Sequence, residues 1–462
     1  MMKSIRFLII NFAIVLFLGS FSNTYSLVTI TADNPNFQYT GRIDFTDLTQ
    51  PKIFWAGTYI KIKFEGSIVF IQLDDQSGQS YYNVFVDNDY SNPKLIDCQA
   101  GAHNYLVSAS LTDTVHTLLI FRRTESSTGP TKFLGIQIND GKTVYEPDPR
   151  PERKILFYGN SITCGMGNEA PDASNDDNMY HENNFLSYGA ITARNLNAEY
   201  MVISKSGIGI MISWFDLVMG DYYYRLNPDD PNSNYDFDLY VPDVVVINLF
   251  QNDSWLIQNL VPVPDSSQRV QAYMDFVRTI RSHHQNAFIV CALGSMDATR
   301  TGSPWPGYIT EAVHNLEIQD GDTLLGTHFF PFDPAWTKHP RVRHHQKMAD
   351  SLTAYISSKM GWITGTENHD FNTLPSTIDL SQNYPNPFNP ATTIEFEIEK
   401  PGLVKLLVFD ILGREVKTLV NDFNNPGKYK INFDASGLAS GIYYYQLITD
   451  QQLKTKSMIY LK

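Results

Sequence analysis

The sequence predicts a multi-domain protein with an N-terminal all-β domain, a central α/β domain built on a parallel sheet, and a small C-terminal β-sandwich. Its 462 residues exceed what one hydrophobic core usually encloses. The hydrophobic pattern changes at a proline-rich segment over 146–152 and again near Gly361. With 43% hydrophobic and 18% charged residues, the composition is that of an ordinary globular protein.

The N-terminal segment has the layout of a secretory signal peptide over residues 1–26. Lys3 and Arg6 precede an apolar run over 7–18, and the small Ser26 follows in a polar stretch. Because that run is short for a bilayer span, we expect export; a membrane anchor is the alternative.

Charge and cysteine content exclude several classes of function. The formal charge of −14 opposes binding to nucleic acid, whereas a neutral polysaccharide is a compatible partner. The three cysteines, Cys98, Cys164 and Cys291, match no zinc spacing and imply no disulfide framework. We therefore expect neither a metal nor another cofactor.

Residues 28–148 form the predicted N-terminal domain. Short alternating runs broken by turns favour a β-sandwich or jelly roll. The runs that we expect to be strands include 59–64, 68–73, 82–86 and 116–121.

Residues 152–362 form the predicted α/β domain. Apolar, strand-like runs alternate with helical periodicity, which predicts a parallel sheet covered on both faces. In such sheets the ligand site lies beyond the carboxyl ends of the strands. The predicted strands are 154–158, 200–204, 243–249, 287–293 and 323–329.

After a predicted linker over 363–380, residues 381–462 contain six short β-type runs. A small β-sandwich is the simplest interpretation of this region.

The glycine-rich segment 157–167 is the strongest local signal, because it directly follows the first parallel strand. Its glycines allow a tight exit from the strand, and Ser161 is placed with its own N–H available to an oxyanion. A serine nucleophile is one interpretation, and a buried structural serine in a glycine-rich loop is the other. The phosphate-binding glycine patterns are absent from the sequence.

A serine nucleophile needs a base and further oxyanion donors. His339 follows the last parallel strand and therefore falls at the same sheet edge; a surface histidine is the alternative. The Gly207 backbone and the Asn252 side chain follow two other strands, where ordinary βα turns are the alternative.

Taken together, Gly159-Asn-Ser161, Gly207, Asn252-Asp253 and His339-Pro340 resemble the four blocks of the SGNH or GDSL hydrolase superfamily. The resemblance implies a flavodoxin-like α/β/α domain that hydrolyses esters. It assigns Ser161 as nucleophile, His339 as base, and the Ser161 and Gly207 N–H groups with the Asn252 amide as oxyanion hole.

A narrower resemblance, to carbohydrate esterase family 2, rests on segments 160–169, 183–194, 39–42 and 55–57. It implies a β jelly roll joined to an SGNH domain that removes O-acetyl groups from plant polysaccharides such as acetylated xylan or glucomannan. An SGNH esterase or lipase acting on another ester, or a non-catalytic carbohydrate-binding protein, are the alternatives.

Two positions depart from the superfamily pattern. Trp336 replaces the usual aspartate three residues before the histidine, and Phe250 replaces the usual third-block glycine. Either Asp333 bends inward to hold the imidazole, or a backbone carbonyl such as that of Trp336 orients a Ser-His dyad. Trp255 and Trp336 adjoin the catalytic blocks, so we expect both to bind substrate.

The last eighty residues resemble a type IX secretion sorting domain of type A. The matching segments are 383–390, 408–416, 437–443 and 456–462. The resemblance implies that type IX secretion machinery carries the protein through the periplasm and outer membrane to the cell surface or medium. A retained carbohydrate-binding sandwich is the alternative.

Overall fold

The computed structural model describes residues 26–174, 178–362, 379–398, 402–411, 413–424, 427–449 and 453–462. Residues 1–25 of the predicted signal peptide and 363–378 of the predicted linker lie outside this part. Among the helices described, none combines the length and apolar character that a membrane crossing requires.

The N-terminal domain consists of two antiparallel sheets of six strands each, as the alternating pattern predicts. One sheet has the order β3-β4-β11-β6-β9 with β1 beside β11, and the other has β12-β5-β10-β7-β8 with β2 beside β5. The strands are β1 (Leu27–Thr31), β2 (Gln38–Thr40), β3 (Ile43–Asp44), β4 (Lys52–Ile53), β5 (Tyr59–Gly66), β6 (Val69–Asp75), β7 (Tyr81–Val86), β8 (Lys94–Asp97), β9 (Gly101–Ser108), β10 (Thr114–Arg122), β11 (Thr131–Asn139) and β12 (Val144–Tyr145).

The period-two pattern of these strands creates the core between the two sheets. In β5, Ile62 and Phe64 are buried while the intervening lysine is partly exposed. They belong to one hydrophobic cluster with Ile71 and Leu73 of β6 in the opposite sheet. Burial of one face of each sheet therefore stabilises this domain.

The central domain is a five-stranded parallel sheet, and all five predicted strands are confirmed. They are β13 (Arg153–Gly159), β14 (Ala198–Ser204), β15 (Val244–Asn248), β16 (Phe288–Leu293) and β17 (Leu325–Phe329). Their spatial order β14-β13-β15-β16-β17 is the 2-1-3-4-5 order of flavodoxin-like sheets.

Helices cover both faces of this sheet. They are α1 (Ser161–Cys164), α2 (Tyr188–Asn195), α3 (Gln251–Leu256), α4 (Ser266–His283), α5 (Trp305–Asp320) and α6 (Val342–Met360). In β15, Val245 and Ile247 belong to the cluster that contains α4 and α5 side chains. Val244 and Val246 belong to the cluster that contains α2 and α6 side chains, which explains the uninterrupted apolar run.

Seven 3₁₀ turns also occur in the described residues. They are Ser126–Thr128, Met179–His181, Asn184–Leu186, Met219–Asp221, Phe237–Leu239, Ile257–Asn259 and Asp297–Thr299.

The N-terminal domain packs directly on the central domain. The Trp55 indole N–H donates to the Leu226 carbonyl at 2.8 Å. The buried Arg42 guanidinium donates to the carbonyls of Tyr223 and Arg225, each at 2.7 Å. Because Trp55 Nε1 and Arg42 Nη1 find their acceptors across the boundary, the β domain forms a fixed wall beside the α/β domain.

The C-terminal region contains a three-stranded and a four-stranded antiparallel sheet around a shared core. The six β-type runs predicted after residue 390 are confirmed, and one short strand precedes them. The strands are β18 (Asp379–Leu380), β19 (Ala391–Ile398), β20 (Gly402–Asp410), β21 (Glu415–Asn424), β22 (Gly427–Asp434), β23 (Gly441–Ile448) and β24 (Leu453–Tyr460).

Candidate active site

Ser161 is the first residue of α1, immediately beyond the carboxyl end of β13. Its predecessor Asn160 caps the helix, because the Asn160 side chain accepts a hydrogen bond from Ile162 N at 3.1 Å. A Cβ at Gly159 would lie 1.9 Å from Thr163 Oγ1, so only glycine lets β13 turn this tightly into α1. The result is a fixed serine at the sheet edge, 7% exposed.

The structure brings His339 to this serine. His339 lies in the segment between β17 and α6, and its Nε2 is 2.9 Å from Ser161 Oγ. That distance is a hydrogen bond between two side chains that are 178 positions apart in the sequence. The imidazole is therefore placed to take the hydroxyl proton.

Two side chains, a tryptophan and an arginine, donate hydrogen bonds to the backbone carbonyl of His339. Trp336 Nε1 donates to the His339 carbonyl at 2.9 Å, and Arg341 Nη1 donates to the same oxygen at 3.3 Å. Arg341 Nη1 also donates to the Gly167 carbonyl at 2.7 Å, in the segment that follows α1. Arg341 therefore connects the loop carrying the histidine with the loop that follows the serine.

Two backbone N–H groups, those of Ser161 and Gly207, follow the neighbouring parallel strands β13 and β14. Gly207 follows β14 with a φ of +83°, a conformation that favours glycine. Within the described residues, neither the Ser161 N–H nor the Gly207 N–H donates a hydrogen bond. Both remain free to bind a developing negative charge.

The Asn252 amide is held in one orientation next to this turn. Its Nδ2 donates to the Ile208 carbonyl at 2.8 Å, and its Oδ1 accepts from Trp214 Nε1 at 3.2 Å. One N–H of Nδ2 remains for a substrate. Phe250 adopts the left-handed conformation, with a φ of +80°, that a glycine would adopt at this position. The replacement of the usual glycine therefore leaves the start of α3 in place.

Asp253 holds the loop after β14, a role that the sequence did not reveal. Its buried carboxylate accepts hydrogen bonds from the N–H groups of Ile210, Met211 and Ile212 at 2.7 to 3.3 Å. Burial raises the pKa of Asp253 to about 6, although these donors oppose that shift. The residue thus ties α3 to the segment that carries Gly207.

Asp333, the candidate to hold the imidazole in the first of the two predicted arrangements, contacts Ala335 and His344. Its Oδ1 accepts a hydrogen bond from Ala335 N at 2.9 Å, and its Oδ2 lies 4.0 Å from His344 Nε2. A local turn, in which Trp336 N donates to the Asp333 carbonyl at 2.9 Å, fixes this direction. The half-exposed carboxylate consequently faces His344 at the start of α6.

The two tryptophans predicted to bind substrate have different surroundings. Trp255 is exposed, and its Nε1 donates to Asp297 Oδ1 at 2.8 Å. Trp336 is half-buried, and its N–H supports the His339 backbone as described above. Trp214, which the sequence analysis did not select, is 63% exposed and bonds Asn252, so it presents an aromatic face beside the candidate oxyanion site.

We find no candidate metal-binding site among the residues that the structure describes. No group of three or more His, Cys, Asp or Glu side chains is arranged there to hold a metal ion. The three cysteines are all buried and unpaired.

A flavodoxin-like sheet with a hydrogen-bonded serine and histidine at its carboxyl edge is the arrangement of the SGNH class of serine hydrolases. Residues 39–147 match the family described as Carbohydrate esterase 2 N-terminal. A family two carbohydrate esterase from Clostridium thermocellum, solved in complex with cellohexaose, is similar to 71% of this chain, and all of that chain is covered. The two are 32% identical, with a TM-score of 0.64. The chain belongs to carbohydrate esterase family 2, a group of carboxylic ester hydrolases.

Two further relatives are similar in sequence. Cellulase/esterase CelE of Acetivibrio thermocellus is 35% identical over 341 residues, which are 71% of this chain and 40% of that protein. An acetylxylan esterase / glucomannan deacetylase of Cellvibrio japonicus is 28% identical over 359 residues, which are 75% of this chain and 96% of that protein. This chain thus spans less than half the length of CelE but nearly all of the Cellvibrio protein.

The C-terminal region matches a different family. Residues 382–461 match the family described as Secretion system C-terminal sorting domain. This match agrees with the resemblance to a type IX sorting domain and indicates export to the cell surface or the medium.

Proposed function

We propose that the protein is a secreted serine esterase that removes O-acetyl groups from acetylated xylan or glucomannan. The observation that carries the proposal is the 2.9 Å hydrogen bond between Ser161 Oγ and His339 Nε2. It lies at the sheet edge where, within the described residues, the N–H groups of Ser161 and Gly207 donate no hydrogen bond. The acetylxylan esterase / glucomannan deacetylase of Cellvibrio japonicus supports the choice of substrate.

The proposed mechanism is acyl transfer in two steps. His339 takes the proton of Ser161 Oγ as the oxygen attacks the acetyl carbonyl, and the oxyanion is stabilised by the N–H groups of Ser161, Gly207 and Asn252. His339 then gives the proton to the departing sugar hydroxyl. Water, deprotonated by His339, attacks the acetyl-serine and releases acetate. No cofactor takes part in these steps.

In this proposal, exposed aromatic rings bind the polysaccharide. Trp214 and Trp255 are exposed and follow β14 and β15, whose carboxyl ends meet at the edge that carries Ser161. Aromatic faces pack well on the apolar faces of sugar rings. Trp336 contributes to the site by donating its indole N–H to the His339 carbonyl.

The proposed domain boundaries are those predicted from the sequence. Residues 28–148 form the β domain, 152–362 the catalytic domain and 381–462 the sorting domain, with a signal peptide over 1–26 and a linker over 363–380. The signal peptide and the sorting domain direct export through the type IX machinery.

Acetate release from acetylated xylan and acetylated glucomannan is the test of this function. We expect purified protein to release acetate from at least one polymer, with 4-nitrophenyl acetate cleaved faster than the butyrate and octanoate esters. A preference for the longer acyl chains would identify an esterase or lipase of another specificity. Binding of the polymers without any ester cleavage would identify a carbohydrate-binding protein and contradict the proposal.

Asp333→Ala distinguishes a Ser-His dyad from a triad. Loss of the carboxylate in a serine protease triad lowers kcat about 10⁴-fold. Because Asp333 contacts Ala335 and His344, we expect Asp333→Ala to retain kcat on 4-nitrophenyl acetate within about threefold, as for a substitution outside the machinery. A fall of more than about a hundredfold, with an unchanged unfolding midpoint, would support the triad instead.

A further inference from the structure

A buried glutamate of the N-terminal domain reaches the turn that follows β14 in the central domain. Glu125 follows β10 and is only 3% exposed. Its Oε2 accepts a hydrogen bond from Ser206 N at 2.8 Å. Ser206 directly precedes Gly207, whose N–H is one of the proposed oxyanion donors. The carboxylate therefore fixes the residue that immediately precedes the Gly207 N–H in the chain.

The same carboxylate oxygen also contacts α1. Cys164 Sγ donates to Glu125 Oε2 at 3.5 Å, and the thiol also lies 3.1 Å from Ser204 Oγ at the end of β14. Cys164 is the last residue of the short helix that Ser161 begins. One oxygen atom from the β domain thus contacts both segments that supply backbone N–H groups to the proposed oxyanion hole.

A second buried acid keeps Glu125 in place. Glu182, 1% exposed, accepts a hydrogen bond from Glu125 N at 2.7 Å through its Oε1. Burial, and next the nearby Glu125, raise the pKa of Glu182 well above its usual range. Arg123 Nε donates to the Glu182 carbonyl at 3.1 Å and completes the support.

Burial of the Glu125 carboxylate costs free energy that its hydrogen bonds must offset. Removing a carboxylate from water is costly, and the cost is offset here by the Ser206 N–H and the Cys164 thiol. Both donors belong to the central domain, and both lie within three residues of a proposed oxyanion N–H. The contact therefore couples the β domain to the geometry of the active site.

We propose that Glu125 is a positioning residue of the esterase, through which the N-terminal domain sets the Gly207 N–H relative to α1. The β domain is then part of the catalytic framework and not only a wall of the cleft. This inference rests on the proposed function, because it assigns Gly207 to the oxyanion hole.

The test compares Glu125→Ala, Glu125→Gln and Glu125→Asp with wild type in the full chain. We expect Glu125→Ala to lower kcat on 4-nitrophenyl acetate about 10- to 100-fold, with KM within about twofold, because the lost donor geometry matters only in the transition state. Glu125→Gln should retain kcat within about threefold, since its amide oxygen still accepts from Ser206 N. Glu146→Ala, at an exposed position of the same domain, is the matched control.

Amide hydrogen exchange measures the same contact without turnover. Exchange at Ser206 should be at least about tenfold faster in Glu125→Ala than in wild type, because its hydrogen bond to Glu125 is lost. If Glu125→Ala does not fold, Glu125→Asp serves instead, because its carboxylate is one methylene too short to reach Ser206.

Two results would overturn the proposal. One is a kcat within about twofold of wild type in the folded Glu125→Ala or Glu125→Asp variant. The other is an equal loss of kcat in Glu125→Gln and Glu125→Ala that follows a lowered unfolding midpoint, which would indicate a purely structural role. Failure of wild type to cleave 4-nitrophenyl acetate would reject the proposed function instead, and Ser206 exchange would still decide whether Glu125 holds the turn.

Discussion

Ser161→Ala is expected to lower kcat at least about 10⁴-fold on 4-nitrophenyl acetate and to abolish acetate release from acetylated polysaccharide. His339 Nε2 contacts the Ser161 hydroxyl at 2.9 Å. Without it, no acetyl-enzyme forms, and the oxyanion donors alone accelerate the direct attack of water only weakly. Steady-state kinetics and acetate assays on the purified variant give the measurement. Capture of an acetyl group on Ser161 by mass spectrometry of wild type would confirm the intermediate.

A second serine of the same chain provides the control. Ser351 Oγ lies 2.7 Å from His328 Nε2, so it forms a Ser-His hydrogen bond like that of Ser161. Ser351 is in α6 and His328 is in β17, whereas the two free N–H groups follow β13 and β14. We expect Ser351→Ala to keep kcat within about twofold of wild type. Equal activity of Ser161→Ala and wild type would reject the serine mechanism.

The fold was predictable where the hydrophobic pattern was long and regular. The apolar run over β15 predicts a strand covered on both faces, because adjacent valines must be buried by opposite helix layers. Strand order in the N-terminal domain was not predictable. The pairing of β1 with β11 joins residues more than one hundred positions apart, and no local signal in the sequence encodes it.

Which residues meet at the site could be predicted from the sheet geometry, but the directions of their side chains could not. Ser161 and His339 both follow parallel strands, and the carboxyl ends of such strands meet at one edge. The direction of a side chain within a loop is decided by local hydrogen bonds, as the turn at Asp333 shows. Glu125 was not found because it lies in another domain and reaches the site only through tertiary packing.

Asn252→Ala is expected to lower kcat about 10²- to 10³-fold, because one oxyanion donor typically accounts for that factor. Trp214 and Ile208 hold the amide so that Nδ2 faces the Gly207 turn. This donor strengthens its bond as charge develops on the acetyl oxygen, so KM should change by less than about threefold. Steady-state kinetics with 4-nitrophenyl acetate separate kcat from KM.

Asn252→Asp removes the donor while keeping the shape of the side chain. Its carboxylate still accepts from Trp214 Nε1 but offers no hydrogen to the substrate, and its negative charge repels the oxyanion. We therefore expect it to be no more active than Asn252→Ala. If Asn252→Asp instead kept more than about one tenth of the wild-type kcat, Asn252 would be a packing residue. The oxyanion hole would then consist of the Ser161 and Gly207 N–H groups alone.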